Sequence, residues 1–291
     1  MAKPPVFLVL KTRFLCARHG QPIATRPPRT GSWRRLRAVA IPLMLASLCS
    51  CCAGCDDEEP QDVLEVSQVI PLPAGFGSID AVAWDGEVLW GTGYTSDYRG
   101  HRLLAVERDG TLRLNQVMDL TEYVFPSALT VAFGGGWVSG LKELGRVDLP
   151  TAKVYDVHRF TRGLDTLLQA LTHDETHLLA IEVNRSNTET YGHSWLLVID
   201  PTDVSLAGVR WEIDRPVYGL SRGSRGNLFA SYGDEGRIEC LDADTGASLH
   251  EWKVPRDIST LEVSWDGTTL WVAGGPPRAI YGFTHPGLEG C

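Results

Sequence analysis

Two stretches of the sequence gather side chains able to recognise a ligand. Residues 94–102 carry Tyr94, Asp97, Tyr98, His101 and Arg102, and residues 182–194 carry Glu182, Asn184, Arg185, Glu189, Tyr191 and His193. Aromatic rings beside both signs of charge suit a small polar molecule or a protein surface. Connections longer than a tight turn are where such sites tend to lie. Glu182 follows an apolar run and is the best-placed acid for proton transfer; the plainer alternative is a solvated residue at a strand end. Asp80, Asp165 and Asp257 stand at or near the starts of apolar runs, where they could ring an opening or hold a cation, or simply cap turns. Arg162, Arg215 and Arg256 recur at comparable places, and their convergence would make an anion site. Cys49, Cys51, Cys52 and Cys55 crowd together, yet no His or matched second Cys pair completes a structural zinc site. Nucleophile-elbow, zinc-protease, phosphate-loop and dinucleotide motifs are absent, so neither a cofactor nor a metal is expected.

The elements that position these residues come from an internal repeat. Ala81-Val82-Ala83-Trp84-Asp85-Gly86-Glu87-Val88-Leu89-Trp90 returns as Val263-Ser264-Trp265-Asp266-Gly267-Thr268-Thr269-Leu270-Trp271. Weaker copies begin at Val131, Ala170 and Leu220. Each is an apolar strand, a tight turn and a second apolar strand, and Asp-Gly between apolar runs is a strong hairpin signal. A second hairpin follows each first one, led by Glu107, Asp148, Asp200 and Asp242, at spacings of 41, 52 and 42 residues. Two hairpins per repeat of roughly 40–45 residues make the four-stranded blade of a β-propeller.

Strand counting predicts how the ring closes. Five sets of inner strands begin near residues 79, 127, 168, 217 and 259, but outer strands follow only four of them, at 112–120, 153–160, 205–213 and 248–254. Residues 63–71 resemble the outer strand at 248–254, so they are expected to complete the last blade. The fold class is therefore all-β: a five-bladed β-propeller over residues 63–291 with no free sheet edge left at the seam. The Trp residues at 84, 90, 137, 265 and 271 fall inside strands and are expected to pack the core.

Charge divides the chain. The formal net charge is −9, but residues 1–54 hold nine basic side chains and no acidic one, leaving 18 basic against 36 acidic in residues 55–291. A working domain this acidic lacks the basic footprint that nucleic acid requires. A hydrophobic content of 43% and nine Trp exclude a disordered chain. Arg34-Arg35-Leu36-Arg37 followed by the apolar run from Ala38 to Leu48 reads as a signal peptide, with residues 1–30 an over-extended start. That run is too short to span a bilayer, which takes ~20 apolar residues.

Small residues before a cysteine after such a run resemble the lipobox of bacterial lipoproteins, whose cysteine is acylated and becomes the new N-terminus. Cys55, behind Ala53-Gly54 and ahead of the acidic tether 55–62, is the expected site, with Cys51 as the alternative. Cys240 and Cys291 lie in the mature part, where export permits a disulfide between them.

The Trp-Asp-Gly…Leu-Trp and Asp-x-x-Thr-Gly turns resemble propeller families with YVTN-type and quinoprotein-like repeats. The run Ser78–Val82, Asp85-Gly86, Leu89-Trp90-Gly91-Thr92-Gly93-Tyr94 and Tyr98-Arg99-Gly100 is similar in spacing to the first blade of five-bladed glutamine cyclotransferases. Gly91 stands where that family has an acid, and the family's Gln-Gly pair is absent. The sequence thus predicts an exported, lipid-anchored monomer on the bacterial cell envelope, binding a protein or a small polar ligand and touching the membrane only through its lipid. The alternative is a glutamine cyclotransferase-like or propeller-lyase-like enzyme using the same loop face.

Overall fold

Paired antiparallel hairpins recur along the chain and build five four-stranded sheets. The computed structural model describes residues 62–120, 125–160, 165–186, 192–233, 235–275 and 277–291. Its strands are β1 (Glu65–Pro71), then blade 1 with β2 (Ala81–Trp84), β3 (Leu89–Tyr94), β4 (His101–Val106) and β5 (Leu112–Val117). Blade 2 holds β6 (Ala128–Ala132), β7 (Gly135–Gly140), β8 (Glu143–Asp148) and β9 (Lys153–Arg159). Blade 3 holds β10 (Thr166–His173), β11 (Leu178–Asn184), β12 (Ser194–Ile199) and β13 (Leu206–Ile213). Blade 4 holds β14 (Gly219–Arg222), β15 (Leu228–Ser231), β16 (Arg237–Leu241) and β17 (Ser248–Lys253), and blade 5 holds β18 (Ser259–Trp265), β19 (Leu270–Gly275) and β20 (Ala279–Thr284). Every sheet is a four-stranded antiparallel meander, and the fifth has the order β1-β20-β19-β18. The N-terminal strand thus completes the last blade. It is shorter than 63–71: pairing starts at Glu65↔Thr284, a bulge follows Val66, and Val63 makes only an isolated bridge to Lys253.

The repeated motif is a hydrogen-bonding device. In blade 1 Asp85 Oδ1 accepts the N–H groups of Glu87 and Val88, while Oδ2 accepts the indole N–H of Trp90 at 2.7 Å. In blade 5 Asp266 does the same with Thr268, Thr269 and Trp271. Gly86 and Gly267 sit at φ +104° and +96°, a region a side chain rarely adopts. Both carboxylates satisfy turn donors that a tight hairpin leaves unpaired and fix the following Trp.

Burial runs between blades. Five apolar clusters occupy the five interfaces, for example Phe229, Ile238 and Trp252 of blade 4 against Val263, Leu270 and Phe283 of blade 5. Trp137, Trp265 and Trp271 are buried as expected, whereas Trp84 and Trp90 are half-buried at the blade margin. Hydroxyls stitch the inner strands: Ser221 Oγ accepts the Trp265 N–H and Ser264 Oγ accepts the Trp84 N–H, each at 2.8 Å. The Ser264 bond crosses the seam between blades 5 and 1. Cys240 of β16 and Cys291 form a disulfide within the blade 4–5 cluster.

Glycines let loops pass over the inner ends of the second strands. A Cβ on Gly93 would fall 2.0 Å from the Ser78 carbonyl oxygen, and one on Gly140 or Gly274 would collide with the carbonyl of Phe125 or Ser259. Blades 3 and 4 place Glu182 and Tyr232 at the matching end; in blade 3 a register shift between Leu168 and Ala170 opposes Glu182.

Candidate functional site

The side of the ring carrying the β3–β4 and β11–β12 loops, here the top face, holds a cavity of about 340 Å³ at the channel mouth. Asp80, Tyr94, Phe125, Ser127, Leu141 and Gln169 contribute to its wall, with Leu167 and Leu168 beside them. The wall is therefore mainly apolar, with one carboxylate. Asp80 also borders a second cavity of about 340 Å³ with Ser78, Ser259 and Arg278.

Asp80 is set there by main-chain geometry: its N–H donates to the Thr92 carbonyl at 2.8 Å, just before β2 begins. Burial pushes its carboxyl up from 3.8 to about 6, against the opposing pull of a Ser78 hydrogen bond and the Arg278 charge. Oδ2 is buried without a hydrogen-bond partner. Arg278 is turned to other tasks: it donates to the Gly77 carbonyl and, at 2.5 Å, to the Tyr98 hydroxyl. Leu141, at the rim, is 44% exposed and held at φ +41°. A leucine in that backbone region carries strain of order 1–3 kcal/mol, and such strain gathers at functional sites.

The first candidate stretch divides by contact. Tyr94 ends β3, and its ring packs 4.3 Å from that of His101 across the β3–β4 pair, with Phe125 5.8 Å beyond His101. His101 is 3% exposed and neither ring nitrogen has a partner. Burial drives its pKa from 6.5 down to about 4, so it is neutral at physiological pH. Asp97 braces its own turn, accepting from the Thr95 hydroxyl and the Arg99 N–H, and these bonds hold its carboxyl below the usual range. Tyr98, 56% exposed, stands on the top face and hydrogen-bonds the Gly77 carbonyl. Arg102 turns to the outer strand, donating to Asn115 Oδ1 at 2.7 Å and covering the Phe76 ring, away from the mouth.

The second stretch is less gathered. Glu182 is 3% exposed inside β11, opposite Leu168 and Trp195, which sets aside the alternative of a solvated strand-end residue. The cause is the seven-residue length of β11, buried throughout. Asn184 caps its loop by accepting from Ser186. Arg185 is exposed and donates to Gln169 Oε1, which brings it to the far wall of the cavity. His193 pairs with Glu212 at 2.7 Å on a separate open groove. Tyr191, Glu189 and Arg162 lie outside the described residues, as do Cys51 and Cys55.

The three aspartates do not form a ring. Asp165 and Asp257 are exposed, and only Asp80 is drawn into the mouth. Arg215 faces inward to blade 4, pairing with Glu239 and stacking 4.5 Å from the Tyr232 ring, while Arg256 is exposed. At Gly91, where the cyclotransferase resemblance would put an acid, a Cβ would lie 2.8 Å from the Cδ1 tip of Ile79, so a side chain there requires that Ile79 shift. No group of three or more His, Cys, Asp or Glu suited to a metal occurs among the described residues. Nor, among those residues, is any helix long and apolar enough to cross a membrane. Phe125, Leu141 and Arg278 were not singled out by sequence; of these, only Arg278, beside Pro277 in a turn, carries a charge that could have drawn notice.

No protein-family model matches this chain, and no curated protein does. Among solved structures it is similar to the WD40 β-propeller domain of Doa1, at 11% identity, covering 77% of this chain and 97% of that one with a TM-score of 0.42. The assignment as a five-bladed propeller rests on the blade topology itself.

Proposed function

We propose that this chain is an exported, lipid-anchored propeller that works as a binding module, receiving a protein or small polar ligand on its top face. The observation that carries this reading is the mouth cavity, whose apolar wall holds a carboxylate with one buried, unpartnered oxygen. A fold selected for stability alone would fill such a cavity or pair the acid. The basic leader and the cysteines behind it support a lipid anchor at Cys55, with Cys51 as the alternative. The disulfide supports an oxidising compartment such as the periplasm or the cell surface. A charge of −18 over residues 55–291 argues that the domain meets an anionic membrane through lipid rather than charge.

Labelled palmitate should be incorporated by the wild type and by Cys51→Ala, and lost in Cys55→Ala; retention in Cys55→Ala with loss in Cys51→Ala would move the anchor. For the binding face, a photo-crosslinking amino acid at Leu141 should capture a partner in intact cells, while the same residue at Phe133, in the β6–β7 turn on the opposite face, should not. Capture at Phe133 alone would overturn the assignment of the face.

A further inference from the structure

The mouth cavity carries enough chemistry to name the class of group it receives, an inference that rests on the binding-module reading above. The Asp80 carboxylate borders the cavity, and its Oδ2 is buried with no hydrogen-bond partner. The nearest cation, Arg278, acts from the adjoining cavity with its guanidinium bonded to Gly77 and Tyr98. Among the described residues, the other ionisable groups near the cavity are the Tyr94 phenol in its wall, His101 behind that ring, Glu182 opposite Leu168 and Arg185 across the cavity at Gln169. None of these described groups lines the cavity with a positive charge beside Asp80. Around the carboxylate the wall is Tyr94, Phe125, Leu141, Leu167 and Leu168.

We propose that this cavity is a receptor for a primary ammonium group on an apolar stem, with Asp80 as its counter-ion. Three features select that chemistry. The unpartnered, buried Oδ2 offers one acceptor position, which suits a point donor. Apolar walls remove water from the stem and weaken competition for the charge. The Tyr94 and Phe125 rings can add attraction between a cation and an aromatic face. A neutral hydroxyl would fill the vacant position but leave the carboxylate charge uncompensated, and an anion would meet a like charge. The ammonium can come from a free amine or from a lysine side chain displayed by a protein.

The test uses the mature chain, with benzylamine for the free amine and Nα-acetyl-lysine amide for the displayed side chain. Benzyl alcohol and benzoate are the neutral and anionic controls. At pH 7.5 at least one amine should saturate with a Kd of about 1 mM or below, the range open to a single side-chain-sized group, and neither control should bind comparably. Which amine binds more tightly identifies the source. Lowering the pH to 5.0 should weaken binding about tenfold, because a carboxyl titrating near 6 is then about nine-tenths protonated. Asp80→Asn should cost at least tenfold, and Leu167→Trp should block the cavity while leaving the carboxylate in place. Equal binding of benzyl alcohol, pH-independent affinity, or unchanged affinity in Asp80→Asn would each overturn the proposal, as would failure of both amines to saturate by about 10 mM. If the amines fail while Leu141 still crosslinks a partner, the amine assignment falls and the binding-module reading stands. If both fail, the top face itself is the wrong site.

Discussion

Replacing Cys240 and Cys291 together by alanine is expected to lower the stability of the mature chain by about 4 kcal/mol. The bond joins β16 to a residue 51 positions later, beyond the last strand. In the chain-entropy account, a cross-link over a loop of that length removes roughly that much free energy from the unfolded ensemble. The bond also sits where closure of the ring depends on few strands. Blade 5 takes its outer strand from the other end of the sequence, so without the bond closure rests on β1, the apolar cluster between blades 5 and 1 and the inner-strand contacts. Cys240 and Cys291 are both buried among Trp252, Phe283 and Leu288, so alanine leaves a small apolar gap without adding a polar group. The expected result is a drop of roughly 8–16 °C in Tm for a domain of this size, with a matching fall in the urea midpoint. Reductant should lower the wild type to the level of the double variant and leave the variant unchanged. A loss below about 1 kcal/mol would mean that β1 and the inter-blade clusters close the ring without the covalent tie.

What the sequence disclosed follows from how far each contact reaches. The Asp85 and Asp266 turns were legible because carboxylate, N–H donors and indole lie within five residues of one another. The blade count and the role of β1 followed from a strand left over at one end and one missing at the other. Strand ends were less exact: Tyr94 and His101, taken as loop residues, pair within β3 and β4, because the turn that joins them closes on itself through Thr95 and Asp97. The mouth was mostly hidden. Its wall draws on residues from three blades, so no local pattern marks Phe125, Leu141 or Leu167. Asp80, Asp165 and Asp257 look alike in sequence, and only convergence of the inner strands separates the buried one from the two exposed. Glu182 was read as a strand-end acid because the length of β11, and hence its burial, depends on pairing with both β10 and β12.

The mouth should reveal itself in how stability varies with pH, through two groups of opposite sign. Asp80 has a folded pKa of about 6 against 3.8 unfolded. Its contribution is fully present below pH 3.8 and is lost as pH rises through 6, a change of about 3 kcal/mol. His101 is depressed from 6.5 to about 4. Its contribution is fully present above pH 6.5 and is lost as pH falls through 4, again about 3 kcal/mol. Between pH 4 and 6 the two slopes oppose each other, so these groups together leave the wild type nearly flat there. Single variants should expose each slope. Asp80→Asn should be more stable than the wild type by about 1–2 kcal/mol at pH 7.5, the relief of the buried charge offset in part by an amide atom left without a partner. Below pH 6 it should lose stability steeply, because only the His101 slope remains. His101→Leu removes two unpartnered nitrogens, so it should cost little at pH 7.5 and become the more stable protein by about 3 kcal/mol near pH 4. Urea unfolding from pH 4 to 8 reads all three profiles. Parallel profiles, or an Asp80→Asn variant less stable than the wild type at pH 7.5, would show that Asp80 is already compensated and that the mouth holds no charge awaiting a ligand. A gain would mean that the fold retains an acid that weakens it, and such a residue is kept where binding requires it.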